Sequence, residues 1–340
     1  MSKLFNVAVV GATGAVGEVL IELLEERNFP VDNLYLLASS QSVGKAYTFK
    51  DKSIRVKNLE NFDFALAHIA LFSAGGAVSK QYVPKATAAD CIVIDNTSEF
   101  RYNDDVPLII PEVNVHRLGD YKKTNIIANP NCSTIQMLVA LQAIHKAVGI
   151  TRINVATYQA VSGSGQKAIK ELAGQTMALL GGQEIKSEAY PIQIAFNVIP
   201  QIDEFQDNGY TREEMKMVWE TQKILEDDSI QVNPTAVRVP VFYGHSEAIH
   251  IETQKKISAQ EAKALLKKSP GVTLKDAHEA GAYPSPVVDA VGNDDVFVGR
   301  VREDISHTNG LNLWVVSDNI RKGAALNSIQ IAEKVVTDYL

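Results

Sequence analysis

Cysteine is scarce in this chain: Cys91 and Cys132 are its two among 340 residues. That is too few for a disulfide framework, and it is the usage expected of a reducing, cytoplasmic compartment. Long apolar runs are missing too. Nothing approaches the ~18 consecutive apolar residues a membrane helix requires, and no signal peptide is expected, because the N-terminus passes straight into a strand pattern and a glycine loop. Positive charge is in deficit. The 33 Lys and Arg against 40 Asp and Glu give a net charge of −7, which argues against a nucleic-acid or anionic-membrane surface but leaves room for local basic pockets that take small anions. No internal repeat or low-complexity tract is visible. What remains is 46% hydrophobic and 21% charged, an ordinary globular composition over a length that can hold two domains, each with its own core.

Residues 6–10 are a short apolar run closed by Gly11-Ala12-Thr13-Gly14-Ala15-Val16-Gly17. Val19, Leu20, Leu23 and Leu24 then recur on one helical face. This reads as strand, glycine turn, helix. Residues 34–38, 69–72 and 91–94 read as further buried strands, and Cys91 is assigned to packing. Strands alternating with helices predict a parallel, doubly wound sheet. Within residues 45–56, Tyr47, Phe49, Ile54 and Val56 are spaced in twos and suggest a small hairpin.

The pattern changes after the helix that follows Cys132 and stops at Gly149. Residues 150–158, 236–243, 248–253, 296–301 and 311–317 read as strands, interrupted by helices near 166–180 and 211–225. Ser258 and Glu261 form a capping box that opens a further helix. The last helix, residues 323–339, is apolar-faced and is expected to return to the first domain. The chain is therefore α/β: a Rossmann-like dinucleotide-binding domain of residues 1–131 and 322–340, and an α+β domain of residues 132–321.

Gly11, Gly14 and Gly17, directly after a strand and opening a helix, suit phosphate binding. Glycines let the backbone approach a pyrophosphate, which then meets the helix N-terminus. The spacing is G-x-x-G-x-x-G, a departure from the plainer G-x-G-x-x-G. At the end of the second strand, where an NAD site usually puts an acid on the ribose 2′-hydroxyl, stand Ser39, Ser40, Gln41 and Ser42, with Lys45 nearby. Asp32 precedes the strand, at its wrong end. With no acid to repel a 2′-phosphate, NADP is favoured over NAD.

Asn129-Pro130-Asn131-Cys132-Ser133-Thr134 sets a cysteine between a Pro/Asn turn and an apolar helical run of Ile135, Leu138, Val139, Leu141 and Ile144. Cys132 thus falls in or just before the first helical turn. The free N–H groups and the positive end of the helix dipole there favour a thiolate, the reactive form of a nucleophilic cysteine. A thiolate beside a nicotinamide is a recognisable combination: addition to an aldehyde gives a thiohemiacetal whose C–H can leave as hydride, producing a thioester. Such chemistry needs a general acid/base and an oxyanion site. Arg238 and His245, in Arg238-Val239-Pro240-Val241-Phe242-Tyr243-Gly244-His245, sit on one strand and its exit loop and are candidates for a shared cleft.

Together, Gly11–Gly17, Asn129–Thr134, Tyr158-Gln159-Ala160-Val161-Ser162-Gly163-Ser164-Gly165, Arg238 with His245, and Ser317-Asp318-Asn319-Ile320-Arg321-Lys322-Gly323-Ala324-Ala325 resemble aspartate-semialdehyde dehydrogenases, nearly end to end. The resemblance implies an enzyme that reduces β-aspartyl phosphate with NADPH, releasing inorganic phosphate and then aspartate semialdehyde, in lysine, methionine and threonine biosynthesis. Cys132 would be the acyl-accepting thiol, His245 the acid/base, and Gln159 an orienting group. Arg238 would take the substrate α-carboxylate and Glu220 its α-ammonium, while Arg101, Lys223 and Asn131 would hold phosphate. Gly11, Thr13, Gly14, Ala15, Val16, Gly17, Ser39, Ser40, Ser42, Ser73, Gly75, Ser162, Gly163 and Asn319 would line NADP. No metal is implied. The second domain would supply the interface of a homodimer, with no nucleic-acid or membrane partner.

Relatives often carry an arginine where this chain has Gln41, which leaves Ser39, Ser42 and Lys45 to meet a 2′-phosphate. Two alternatives stay open. One is a reductase of the same mechanism on another acyl group, of the N-acetylglutamyl-phosphate or malonyl-CoA type, to which Glu220 would offer no matching amine. The other is a silent nucleotide-binding paralogue, which would be free to lose Cys132, Gln159, Arg238 and His245.

Overall fold

The computed structural model describes residues 3–277 and 279–340. The chain divides into two compact units, Met1–Asn131 with Ala324–Leu340, and Cys132–Gly323. The return to the first unit falls at Ala324, two residues beyond the expected 322.

The first unit holds β1 (Phe5–Val10), β2 (Val31–Ala38), β3 (Ala46–Phe49), β4 (Lys52–Arg55), β5 (Lys57–Asn58), β6 (Ile69–Phe72), β7 (Ile92–Asp95) and β8 (Ile126–Ala128). Its six-stranded sheet runs β5-β2-β1-β6-β7-β8, parallel throughout. Every residue of β6 and β7 is buried, as parallel strands covered on both faces require. The helices are α1 (Ala15–Glu26), α2 (Gly76–Ala88), the single turn α3 (Pro111–Asn114), and the C-terminal helix Leu326–Asp338. Leu20, Leu23 and Leu24 of α1, together with Ile329, Ala332 and Val335 of the C-terminal helix, enter one core with Val7, Val9, Leu36, Ile69 and Leu71. Each fully buried aliphatic side chain there is worth about 1.5–3 kcal/mol. Arg27 and Glu333 form a two-pronged pair at 2.7 and 2.9 Å that links α1 to the C-terminal helix.

The hairpin expected in residues 45–56 is the antiparallel pair β3–β4. Lys50 and Asp51, at φ +47° and +61°, give it the doubly left-handed turn that matches strand twist. Asp32, placed before the second strand by the sequence, is the second residue of β2 and still lies at that strand's opening end.

The second unit holds β9 (Ile150–Gln159), β10 (Gln231–Arg238), β11 (His245–Thr253), β12 (Val272–Leu274), β13 (Val296–Glu303) and β14 (Gly310–Ser317). The mixed sheet runs β10-β9-β11-β14-β13-β12. It is crossed by α4 (Cys132–Val148) and accompanied by α5 (Gln166–Leu180), α6 (Arg212–Leu225) and α7 (Ala259–Leu266). The alternate buried residues Ile153, Val155, Ile249, Ile251, Leu311, Leu313 and Val315 give the sheet its apolar face. Leu138, Leu141 and Ile144 of α4 are buried in the same unit, and α4 contacts β9, β11, β13 and β14. Gly149, at φ +69°, ends the helix in the left-handed conformation that glycine adopts without strain.

One strand assignment is corrected. Residues 236–243 are not a continuous strand carrying Arg238 with His245 on its exit loop: β10 ends at Arg238, and His245 opens β11 three residues earlier than expected. Pro240 has no N–H for a ladder, and Gly244 turns the chain at φ +87°, so the segment between is a connection. Among the described residues no helix is long and apolar enough to cross a membrane.

Candidate active site

In the first unit the glycine loop lies where strand order reverses, because β1 pairs with β2 on one side and β6 on the other. Such a switch point is where open α/β sheets bind nucleotides. The N–H groups of Gly11 and Ala12 both donate to Leu37 O, at 2.9 and 3.2 Å. A Cβ on Gly11 would lie 2.9 Å from Ser73 C, and one on Gly17 2.1 Å from Gly11 O, so both positions require glycine. Gly14 caps α1 without any side-chain hydrogen bond. A close backbone and a helix start without a side-chain cap fit a dinucleotide pyrophosphate.

Ser39, Ser40 and Gln41 are exposed beyond β2 and Ser42 is half-buried. Thr13 Oγ1 donates to Ser42 Oγ at 3.3 Å, which joins the two hydroxyl-bearing stretches. Ser73 is tied to Val10 O through its N–H and its Oγ, at 2.8 and 3.2 Å, and Gly75 opens α2 at φ +92°. Ala15 and Val16 form the first turn of α1.

Arg101 belongs to the same unit and is nearly buried. Its Nη2 donates to Asn96 O at 2.8 Å. Nearby, burial raises the pKa of Asp95, while hydrogen bonds from Thr97 and Ser79 and the Arg101 guanidinium pull it down. Asn131, also buried, is the last residue of the first stretch of this unit.

In the second unit Cys132 is the first residue of α4. Gly323 lies against it: a Cβ there would stand 2.8 Å from Cys132 Cβ. The next residue, Ser133, accepts from Gln159 Nε2 at 3.0 Å. The same amide nitrogen lies 3.3 Å from Thr157 Oγ1 and 3.2 Å from Glu213 Oε1. Glu213 is paired in turn with Lys216 at 2.9 Å, so Gln159 is held in a buried polar cluster.

A second knot closes around Ala160. Its N–H donates to His245 Nδ1 at 3.0 Å, and its carbonyl accepts from Arg238 Nη1 at 2.8 Å. His245 is fully buried and Arg238 nearly so. Burial first, and the Arg238 charge second, push the His245 pKa down to about 3, with Glu213 acting in the opposite sense. Gly163 closes the knot, because a Cβ there would meet Arg238 Nη1 at 3.0 Å and His245 Nε2 at 3.3 Å. Asn319 Oδ1 accepts from Gly244 N at 2.9 Å and exchanges hydrogen bonds with Ser162 Oγ at 3.0–3.1 Å. Glu220, fully buried, and Lys223, half-buried, lie three residues apart on α6 and share a face.

The sequence reading passed over Ser133, Glu213 and the Ala160 backbone. Ser133 lay within the cysteine motif. Glu213 carried no signal at all, since an acid in the first turn of an amphipathic helix normally faces water. Glu247 was missed as well. It stands two residues after His245 and thus on the same side of β11, directly opposite Thr157 of β9, and it is fully buried. Burial pushes its carboxyl well above the usual range, against a smaller pull from Gln136.

A carboxyl favoured in its neutral form by the fold stabilises it fully below the unfolded pKa and loses that contribution as pH rises. Glu247→Gln is therefore expected to flatten the decline in unfolding free energy between about pH 5 and about pH 8. Urea titrations of both proteins across that range check it, and parallel curves would count against the neutral carboxyl. Among the described residues, no group of three or more His, Cys, Asp or Glu side chains is placed to hold a metal ion.

Residues 6–121 match the family described as semialdehyde dehydrogenase, NAD binding domain, and residues 141–322 the semialdehyde dehydrogenase, dimerisation domain. The chain is 63% identical to aspartate-semialdehyde dehydrogenase of Legionella pneumophila, over all of this chain and 98% of that protein. It is 62% identical to the enzyme of Shewanella violacea over both full lengths. Aspartate semialdehyde dehydrogenase II of Vibrio cholerae, solved in complex with ASA, superposes with a TM-score of 0.98 at 59% identity, covering both chains fully. A probable aspartate-semialdehyde dehydrogenase from Pseudomonas aeruginosa, 33% identical, gives 0.95 over 99% of this chain and all of that one. With both family domains matched in order and relatives this similar along its whole length, the chain belongs to the aspartate-semialdehyde dehydrogenase family.

Proposed function

We propose that this chain catalyses the reversible, NADPH-dependent reduction of β-aspartyl phosphate to aspartate semialdehyde and inorganic phosphate through a thioester on Cys132, in lysine, methionine and threonine biosynthesis. The observation that carries the reading is the thiol at the start of α4, in the same unit as a buried His245 and Arg238 locked around Ala160.

Cys132 attacks the acyl carbon from the positive end of the helix dipole, which favours the thiolate, and His245 serves as the acid/base at the thiohemiacetal step. Gln159, fixed by Ser133 and Glu213, orients the acyl group. Arg238 takes the α-carboxylate and Glu220 the α-ammonium. A substrate with both charges on one carbon calls for one guanidinium and one carboxylate held apart. Lys223 on α6, with Arg101 and Asn131 of the first unit, receives the phosphate.

Gly11, Thr13, Gly14, Ala15, Val16 and Gly17 hold the pyrophosphate, and Ser39, Ser40 and Ser42 the 2′-phosphate. Ser73, Gly75, Ser162, Gly163 and Asn319 complete the cofactor contacts. When bound, the nicotinamide supplies or accepts the hydride. The protein acts as a homodimer in the cytoplasm. Met177, Leu180, Phe196 and Phe205, all largely exposed in the second unit, supply apolar surface that supports the dimer.

The test is reduction of NADP by aspartate semialdehyde with and without phosphate. Turnover is expected only with phosphate, and kcat/KM for NADP is expected to exceed that for NAD. Equal values for the two cofactors would refute the 2′-phosphate assignment. No phosphate dependence would refute the reaction.

A further inference from the structure

Cys132 is the first residue of the second unit and Gly323 the last, and the two are packed together. A Cβ built on Gly323 would stand 2.8 Å from Cys132 Cβ and 3.4 Å from Cys132 Cα. Turning χ1 of Cys132 moves Sγ but leaves Cβ where the backbone puts it, so no change of rotamer relieves that approach. Gly323 is buried and is not at positive φ. Glycine is therefore required here by its neighbour and not by its own backbone angles.

The turn that carries Gly323 is stiff. It leaves β14 at Asp318, whose carboxylate accepts from the N–H groups of Ile320 and Arg321 at 2.8 and 3.0 Å and from that of Gly292 at 2.8 Å. Gly323 N donates back to Asp318 O at 3.1 Å, within the wide turn Arg321–Ala325, a π-type geometry that recurs at functional sites. Arg321 is anchored to Asp294 through Nε and Nη2, at 2.8 and 2.7 Å. On the facing side, Ser133 is held by Gln159 at 3.0 Å. Neither wall yields freely.

We infer that Gly323 is a positioning residue: its bare Cα, fixed by Asp318, is the seat on which the root of the Cys132 side chain rests, and it sets the direction in which Sγ leaves α4. The inference rests on the reaction proposed above. A thiolate needs a line of approach to the acyl carbon as well as a charge, and a displacement of about 1 Å can cost roughly 10²-fold in rate. The same seat governs the second step, because the acyl carbon then hangs on Sγ and its distance to the nicotinamide follows the sulfur. Asn319, among the cofactor contacts proposed above, belongs to the same turn and is fixed to Gly244 and Ser162. One rigid segment thus refers nucleophile and cofactor to each other.

In an ordinary helical turn, replacing glycine by alanine raises stability. Here Gly323→Ala is expected to lower the melting temperature of the full chain, and to lower it far less when introduced into Cys132→Gly, which removes the opposing Cβ. In otherwise wild-type protein it is expected to lower kcat roughly 10²-fold while KM for aspartate semialdehyde and dinucleotide affinity stay within about threefold. Alkylation of Cys132 by iodoacetamide, which can approach from any open side, should slow by less than about threefold, because the thiolate is retained. Cys91 is buried and does not compete. Asp318→Asn, which keeps one carbonyl oxygen for the turn, should show the same split at roughly tenfold, and Asp318→Ala a larger loss of kcat.

Equal melting shifts in the two backgrounds, a loss confined to KM or to dinucleotide affinity, or alkylation slowed as much as turnover would overturn the inference. Should Gly323→Ala fail to fold, the two Asp318 variants are read by the same split between turnover and alkylation, and its absence there would overturn the inference equally. A wild type without phosphate-dependent turnover would overturn the proposed reaction and the positioning role with it. Normal wild-type turnover with a Gly323→Ala kcat within about threefold of it would overturn the positioning role alone.

Discussion

Cys132→Ala is expected to reduce phosphate-dependent turnover roughly 10⁴-fold or more, the scale seen when a covalent nucleophile is removed. The loss should fall on kcat. Cofactor affinity should change little, because Cys132 is not among the residues assigned to the dinucleotide. Stability should change little: Cys132 is only partly buried at the first position of α4, and alanine is the best helix former. Cys132→Ser offers a hydroxyl that is a far weaker nucleophile without an adjacent base, and should be nearly as inactive. Steady-state rates, dinucleotide titration and a thermal melt separate these effects. Undiminished turnover in the alanine variant would end the covalent mechanism.

Arg238→Leu is expected to lower kcat/KM for aspartate semialdehyde roughly 10²–10³-fold, since a charge-assisted, two-pronged pairing with a carboxylate is lost from a desolvated site. Arg238→Lys should recover part of this, because it keeps the charge without the planar fork. The substitution has a second consequence. Arg238 holds the Ala160 carbonyl at 2.8 Å, and its charge is the second cause of the low His245 pKa. In Arg238→Leu that pKa should rise, yet burial, the larger cause, should keep it below the ordinary histidine range. An NMR titration reads the shift. A His245 signal that did not move would show that the guanidinium does not bear on the ring, and a kcat/KM within a few-fold of wild type would remove Arg238 from carboxylate recognition.

Much of the first unit could be read directly because its signals are local. The run before Gly11, the glycine turn and the 19-20-23-24 apolar spacing are consecutive in the chain, and together they determine β1, the loop and α1. The β3–β4 hairpin was legible for the same reason, with alternating residues on either side of a polar tip. In the second unit α4 and α5 were readable from periodicity. The strand thought to carry Arg238 and His245 together was not, because a short apolar run with proline and glycine in it can be strand or connection. Only pairing decides, and β9 takes β10 on one side and β11 on the other.

By itself, then, the amino-acid order determined an α/β chain with a dinucleotide loop, the absence of an acid after its second strand, and a cysteine at a helix start. Those properties depend on residues a few positions apart, where helix and strand periods and turn chemistry govern. Only the tertiary structure decided which distant residues the second unit brings together. The Ala160 N–H meets His245 across 85 positions, Gln159 reaches Glu213 across 54, and Glu247 is sealed under the same sheet face. Strand pairing and helix docking set those distances. Burial then gives them weight, because in a desolvated site each hydrogen bond is electrostatically stronger and each unpaired polar group more costly than in water.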